Sequence, residues 1–463
     1  MALQTAPNAN ILDPSVLQDI ADGNLRLTSE QAMRLYHEMS LPELGRWADK
    51  RCRALHGDSI RTYIVDRNIN YTNICTAKCT FCAFRRDGHE EDAYTLDYDV
   101  LLQKVQEIVD IGGTQILMQG GMNPDLPLSW YLDLLNLLRE KFPQVHVHAF
   151  SPPEVIEFVH FFDTPGNTLE EQVRWVLTKL QEAGLQSIPG GGGEIFAPAV
   201  REKIGLGKCN AEVWLTVMRV AHELGMNTSA TMMFGHIEGI ADRIHHMDLV
   251  RSWQERSVED FGLHGGGHYK AFISWPFQPD NSPLGRVKEW IASDNDPFPG
   301  DVVAKLDGTG KKSQHPEFGR RIRLSGSSTY LRTQAISRLF LDNIYSIGSS
   351  WVTMGPAIGQ TALFYGANDL GSVMLEENVV SAAGTTWCLS EAKLCRMIRG
   401  AGFTPAKRDN RYDLLQVHDG DTSPDKMITD WSAQNKDRLI SHTADCSTTT
   451  STATSTVTLT VDR

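Results

Sequence analysis

No run of about eighteen consecutive apolar residues occurs in this 463-residue chain, so nothing in it reads as a membrane-spanning helix. Its opening residues, MALQTAPNANILDP, lack a basic patch followed by an apolar run, so no export signal is expected. Basic charge is in short supply. Lys and Arg number 44 against 57 Asp and Glu, a formal net charge of −13. Nucleic acid and anionic membrane both require a positive face, so neither is expected as a partner. A local basic pocket for an anionic small molecule remains compatible with that balance. Cysteine is scarce as well, at eight residues. Cys52, Cys209, Cys388, Cys395 and Cys446 are scattered, which is not the even framework of a small secreted domain. The expected compartment is therefore the reducing cytoplasm. Hydrophobic content of 41% and charged content of 22% are ordinary for a globular protein with a large core.

The three remaining cysteines are concentrated. Residues 73–84 read NICTAKCTFCAF, with Cys75, Cys79 and Cys82 spaced by three and then two residues. Thiolate is the ligand that iron–sulfur clusters select, and short spacings on one loop bring thiolates within reach of one cluster. A cubane has four irons, and this loop offers three cysteines. A fourth iron left open marks a catalytic rather than a structural centre, by the logic that separates open from closed zinc sites. Other readings stand beside it. Zinc would need a fourth ligand such as His89, a redox C-x-x-C would leave Cys75 unexplained, and buried cysteines can cluster by chance.

Organisation along the chain supports an α/β class. Leu17, Ile20, Leu25, Leu27, Ala32, Leu35 and Met39 recur at helical spacing within 11–58, and Thr28 with Gln31 predicts a capping box. From residue 61 short strand-like runs alternate with amphipathic helices. The predicted strands are RTYIVDRNIN (61–70), TQILMQGG (114–121), HVHAFS (146–151), LQSIPGG (185–191), NTSATMMFG (227–235) and AFISWPF (271–277). Helical patterns cover 97–111, 129–141, 168–183, 211–224 and 241–255. This βαβ rhythm predicts a parallel (β/α) barrel whose strand C-terminal ends build the site. Later, LRTQAISRLFLDNI reads as helix, SSWVTMG and SVMLEEN as strands, and EAKLCRMIRGAG as a helix ending at Gly402. The expected segmentation is a helical piece over 1–58 and barrel core over 59–282. A long loop over 283–325 and a βα region completing the barrel over 326–417 follow. The Ser/Thr-rich tail over 418–463 is expected to lack order.

Cys75-x3-Cys79-x2-Cys82, placed after the first barrel strand, resembles the radical S-adenosylmethionine (SAM) superfamily. Within it, IPGGGGEIF (188–196), ATMMFGHIE (230–238), FISWPFQPDN (272–281), SSWVTMGP (349–356) and GANDLGSVMLEENVVSAAGTT (366–386) resemble the cyclic dehypoxanthine futalosine synthases of menaquinone biosynthesis. The likeness runs over roughly 60–410. Departures are Gly193 where that family usually has Ala, Gly239 where it has Thr, and GGHYKAF in place of a usual GGFTAF.

The resemblance implies a radical SAM-type TIM-like barrel with a [4Fe–4S] cluster on Cys75, Cys79 and Cys82 and SAM on the open iron. It implies dehypoxanthine futalosine as substrate and a flavodoxin or ferredoxin-type electron donor. Phe81, Gly120, Gly121, Ser151, Glu154, Glu194, Arg201 and Thr231 are expected around the cofactor. His236 and Glu238 are the candidate acid–base pair. Arg85, Trp275 and Phe277 are the candidate substrate contacts, with Arg61 and Arg67 as further candidates for the benzoate carboxylate. Trp351, Asn368, Glu376 and Glu377 would complete the pocket from the C-terminal region. The nearest alternative is an aminofutalosine synthase-like enzyme, and beyond it a non-catalytic iron–sulfur or zinc protein.

Overall fold

Amphipathic helices in this chain carry apolar residues at three- and four-residue spacing, and each lays that stripe on a central sheet. Helix Tyr98–Asp110, for example, buries Leu101, Leu102, Val105 and Ile108. The computed structural model describes residues 4–286, 324–385, 387–420 and 424. Its main sheet has eleven strands. They are β1 (Ile60–Ile64), β2 (Asp66–Ile69), β3 (Gln115–Met118), β4 (His146–Ala149), β5 (Ser187–Ile188) and β6 (Asn227–Phe234). After these come β7 (Tyr269–Pro276), β8 (Ser346–Gly348), β9 (Asp369–Ser372), β10 (Thr404–Arg408) and β11 (Leu414–Val417).

β1 and β2 are two halves of one bent strand, separated only by Val65. β2 pairs with β3, and pairing then runs in order through β9, which returns to β1. All of those pairings are parallel. The bent strand therefore joins both ends of the series and closes a ring, as a (β/α) barrel requires. β10 adds to the other edge of β1 and turns back antiparallel into β11. That hairpin closes the N-terminal end of the barrel. Lys407 donates to the Gly112 carbonyl, and Asn410 donates to Gln115 at the start of β3.

Outside the ring, helices Pro14–Asp22, Ser29–Glu38 and Leu41–His56 cover one flank. Thr28 and Gln31 form the expected capping box. Arg332, on helix Ser327–Phe340, donates to the carbonyls of Tyr36 and Met39 and ties this flank to the barrel. Two predicted strands are corrected. SSWVTMG forms helix Trp351–Met354, and the strand lies just before it at β8. Its aromatic and β-branched content mimics strand composition, but the segment follows a strand end and is terminated by Gly355 at φ 84°. In SVMLEEN only Ser372 is strand, because β9 stops there. Most of the loop expected over 283–325 and of the tail expected after 417 lies outside the described residues.

One buried ion network braces the first strand. Arg67 donates to Glu376 at 2.6 Å and Glu107 at 2.7 Å, and Lys104 reaches Glu376 at 2.6 Å. Removing one partner from a buried network strands the others, typically at about 3–5 kcal/mol. Arg67→Ala is therefore expected to lower stability by about 3–5 kcal/mol in urea unfolding followed by tryptophan fluorescence. A loss under about 1 kcal/mol would show the network to be worth no more than a surface pair.

Candidate active site

The cysteine loop is held largely by its own backbone, with Thr80 Oγ1 and Arg85 adding side-chain bonds. Cys75 N–H donates to Arg86 O, Thr76 N–H to Met122 O, Lys78 N–H to Leu206 O and Thr80 N–H to Ile204 O. These bonds dock the loop on the end of β3 and on the turn after helix Pro198–Ile204. Gly121 permits the first contact. A Cβ there would lie 2.0 Å from the Ile74 carbonyl oxygen, so any side chain would push the loop away. Cys75, Cys79 and Cys82 are free thiols gathered in one apolar pocket with Ala77, Met122 and Phe81. Burial pushes the Cys79 thiol up to about 12, with Lys208 opposing it, and burial also raises Cys75. A bound cationic cluster inverts that preference and holds the sulfurs as thiolates. Exposed His89 does not join the pocket. Among the described residues no three His, Cys, Asp or Glu side chains converge as on a single ion. A cubane makes no such demand, because each thiolate sits on a different iron.

Beside the loop, Lys208 Nζ lies 5.1 Å from the Phe81 ring centre and 2.7 Å from Glu194 Oε1. Burial works against the Lys208 ammonium, yet Glu194 and the Cys79 sulfur hold its pKa above the ordinary lysine value. Glu194 sits at φ 39°, and its Oε2 is buried with no hydrogen-bond partner. An acceptor left bare in this position points to a ligand donor. The thiol set, the Gly121 cradle and the bare Glu194 oxygen fit a cluster with SAM beside it.

A cavity of about 380 Å³ fills the barrel interior. Gly190, Gly191, Gly192, Glu194, Thr231 and Trp275 line its upper part, with Gln119, Trp351 and Glu377. Thr231 Oγ1 donates to Gly190 O at 2.5 Å, which fixes the glycine run against β6. Gly193 belongs to the same contact. A Cβ there would meet Thr231 O at 2.7 Å, so an Ala at 193 would have to displace β6. Arg408 closes the floor by gripping Asp369 with two bonds of 2.6 and 2.9 Å.

Several expected residues stand elsewhere. His236 and Glu238 are wholly buried below the surface of the β6 end, 3.1 Å apart, with Glu238 also ion-paired to Arg243 at 2.7 Å. They do not line the cavity, and neither does Phe277, which packs edge-on against His236. Arg201 gives its guanidinium to the carbonyls of Gly192, Gly193 and Cys209. Glu154 accepts four bonds, from Tyr71 Oη, Gly120 N–H, Ser151 N–H and Ser151 Oγ. It and Ser151 thus brace strand ends. Arg85 donates to Cys75 O and pairs with Asp87. Arg61 donates to Gly57 O and Ile60 O, away from the cavity. Asn368 holds Arg338, and Glu376 belongs to the Arg67 network. Sequence reasoning missed Gln119, Asn68, Lys270 and the floor residues Arg408, Asn410 and Tyr412. Gln119 alone carried a signal, since it immediately precedes the Gly120–Gly121 pair.

A closed parallel barrel with a three-cysteine loop at the C-terminal mouth defines a radical SAM enzyme. The Radical SAM superfamily model matches residues 69–250, and the CofH/MqnC C-terminal region matches 318–420. The cyclic dehypoxanthine futalosine synthase of Halalkalibacterium halodurans is 38% identical over 89% of this chain and 97% of its own length. The aminodeoxyfutalosine synthase of Thermus thermophilus is 36% identical over 88% of this chain and 98% of its own length. Among solved structures, methylornithine synthase shares the fold, with a TM-score of 0.56 at 15% identity over 84% of this chain and 97% of its own. The chain belongs to the family of cyclic dehypoxanthine futalosine synthases and their CofH/MqnC relatives within the radical SAM superfamily. No helix of the described residues is long and apolar enough to cross a membrane.

Gly121→Ala tests the cradle. The variant is expected to lose roughly 1–3 kcal/mol of stability, as overpacking does, and most of its iron after anaerobic reconstitution. Full iron content measured beside wild type would show that the loop does not depend on this contact.

Proposed function

We propose that this chain converts dehypoxanthine futalosine to cyclic dehypoxanthine futalosine, joining ribose C4′ to the benzoate ring with net loss of two hydrogens. One observation carries the reading: identity of 38% to the H. halodurans cyclase extends over 97% of that protein. It therefore includes both the cysteine loop and the C-terminal segments that wall the cavity. Cys75, Cys79 and Cys82 would hold a [4Fe–4S] cluster beside SAM, which together would supply radical hydrogen-abstraction chemistry with a flavodoxin or ferredoxin-type protein as reductant. The protein's own residues then have three tasks.

The first is to place the cofactor. Glu194 offers its bare Oε2 to a ribose hydroxyl, while Lys208 fixes the other oxygen. Gly190–Gly192 present backbone to the cavity because the space a Cβ would take at each is already filled, by Ser229, Gln119 and Pro153. The second is to exclude water. Leu117, Ile273, Trp275 and Trp351 form apolar walls, and a dry site prevents quenching of reactive intermediates. The third is to orient the benzoate arm below the cofactor, so that the carbon radical meets the ring in one geometry. The enzyme is read as cytoplasmic. A second reading, addition to an enolpyruvyl ether, is favoured by the 36% identity to the T. thermophilus protein.

Reconstituted, reduced enzyme with SAM and dehypoxanthine futalosine should yield 5′-deoxyadenosine and a product two hydrogens lighter by mass spectrometry. Unchanged dehypoxanthine futalosine, with turnover of the enolpyruvyl ether instead, would establish the second reading. Cys79→Ala should abolish iron binding and 5′-deoxyadenosine formation together.

A further inference from the structure

A substrate that ends in an arene carboxylate calls for a cation or oriented donors, and the arginines nearest the cysteine loop in sequence are committed. Arg67 serves Glu376 and Glu107, Arg85 serves Asp87 and Cys75 O, and Arg61 serves two carbonyls near the barrel's N-terminal end. The cavity wall itself carries six charged side chains: Asp66, Glu194, Lys270, Asp369, Glu377 and Arg408. Five have a partner within the protein, although the Oε2 of Glu194 stays bare. Arg408 grips Asp369, and Lys208 reaches Glu194 at 2.7 Å. Glu377 accepts from Asn68 at 2.9 Å and from the Val379 and Val380 N–H groups at 2.7 and 2.8 Å. Asp66 accepts from Gln115 at 2.7 Å and from Ser372.

Lys270 is the exception. It is half-buried on the cavity wall, and among the described residues it has neither an ion pair nor a hydrogen bond. Its three donors are not taken up by any protein acceptor and are free to meet an anion in the cavity. Its position suits that visit. Lys270 is the second residue of β7, and Trp275 stands five residues further along the same strand. Lys270 is the extra residue of a bulge, where Tyr269 pairs with Thr228 and Ala271 with Ser229, and it lines the cavity together with Ala271, Ile273 and Trp275. At strand rise roughly 16 Å of tilted strand separates its backbone from that of Trp275.

We propose that the Lys270 ammonium binds the arene carboxylate of the substrate and so points the benzoate arm at the cavity floor, with the ribose left at the cysteine end. Lys270 is a positioning and specificity residue, not a catalytic one. A flexible point charge also tolerates the movement of the ring as the new bond forms, which a rigid bidentate arginine fork would resist. This assignment rests on the reading of the substrate given under Proposed function.

The test compares dehypoxanthine futalosine with its carboxamide analogue on reconstituted wild-type, Lys270→Gln and Lys270→Arg enzymes. Wild type should favour the acid, and Lys270→Gln should raise KM for the acid about 10- to 100-fold, the usual loss of a charged hydrogen bond, with a smaller change in kcat. Lys270→Gln should treat acid and amide alike, and Lys270→Arg should keep most of the preference. Iron content after anaerobic reconstitution should match wild type in both variants, so that a changed acid-to-amide preference reads the ammonium and not loss of the cluster. Should Lys270→Gln fail to fold, Lys270→Met, which keeps the apolar stem, takes its place in the same comparison. A variant without the ammonium that still prefers the acid as strongly as wild type overturns the assignment while the proposed function stands. Wild-type enzyme that leaves dehypoxanthine futalosine untouched overturns that function, and the assignment with it.

Discussion

Four hydrogen bonds converge on the Glu154 carboxylate, and the active end of the barrel is assembled around them. Tyr71 Oη and Gly120 N–H reach one oxygen at 2.7 and 3.0 Å, and Ser151 N–H and Oγ reach the other at 2.7 and 2.6 Å. Those donors come from just beyond the ends of β2, β3 and β4. One side chain thus locks three successive strand ends, and Cys75 follows Tyr71 by only four residues. Burial raises the Glu154 pKa against the pull of these bonds. The Gly120 and Ser151 N–H groups need an acceptor, while the Tyr71 and Ser151 hydroxyls can turn to suit either form of the carboxyl. Glu154 is reached through Pro152 and Pro153, which start helix Pro152–Phe161 without spending backbone donors.

From that anchor the electrostatics divide into an outer and an inner set. Outside the ring, Arg67 and Lys104 compensate Glu376 and Glu107, and Arg243 compensates Glu238. These pairs cost desolvation but fix where the C-terminal segments sit, and Glu377 follows directly on Glu376. Inside, Arg408 and Asp369 neutralise each other on the floor. The interior can then be largely apolar between a closed floor and a mouth lined by glycine and Glu194. His236 and Glu238 show why sequence alone misleads here. A titratable pair at a strand end looks like chemistry, yet Arg243, which faces them from the next helix turn, turns the pair into a brace.

The cysteine loop was legible because its chemistry is local: spacing along eight residues decides whether thiolates can share a cluster. The alternation of strands and helices was legible for the same reason, and it predicted the barrel. Contacts set by closure were not. The β10–β11 hairpin is short, its strands TPAKR and LLQV carry little β signal, and its value lies in plugging a ring that only tertiary structure defines. Lys270 was missed because strict alternation from Trp275 puts it on the opposite face of β7, and only a bulge between Tyr269 and Ala271, set by the pairing with β6, brings it to the cavity. Arginine was expected near the carboxylate on geometric grounds, but all three candidates lie in sequence segments that fold outward or into ion pairs.

Radical chemistry imposes one more demand that the wall composition meets. A carbon radical takes hydrogen from the weakest donor within reach, and thiols are such donors. No cysteine is among the described residues lining the cavity. The three thiols of the loop lie in their own apolar cluster, and a metal centre held there would remove their protons altogether. Cys209 sits next to Lys208 but faces a separate pocket on the far side of helix Pro198–Ile204. The same barrel therefore gathers sulfur where an electron must enter and keeps sulfhydryl hydrogen away from where a carbon–carbon bond must form. Both follow from a loop docked by backbone bonds at the rim, with glycine, aliphatic, aromatic and polar groups but no cysteine among the described residues turned toward the interior.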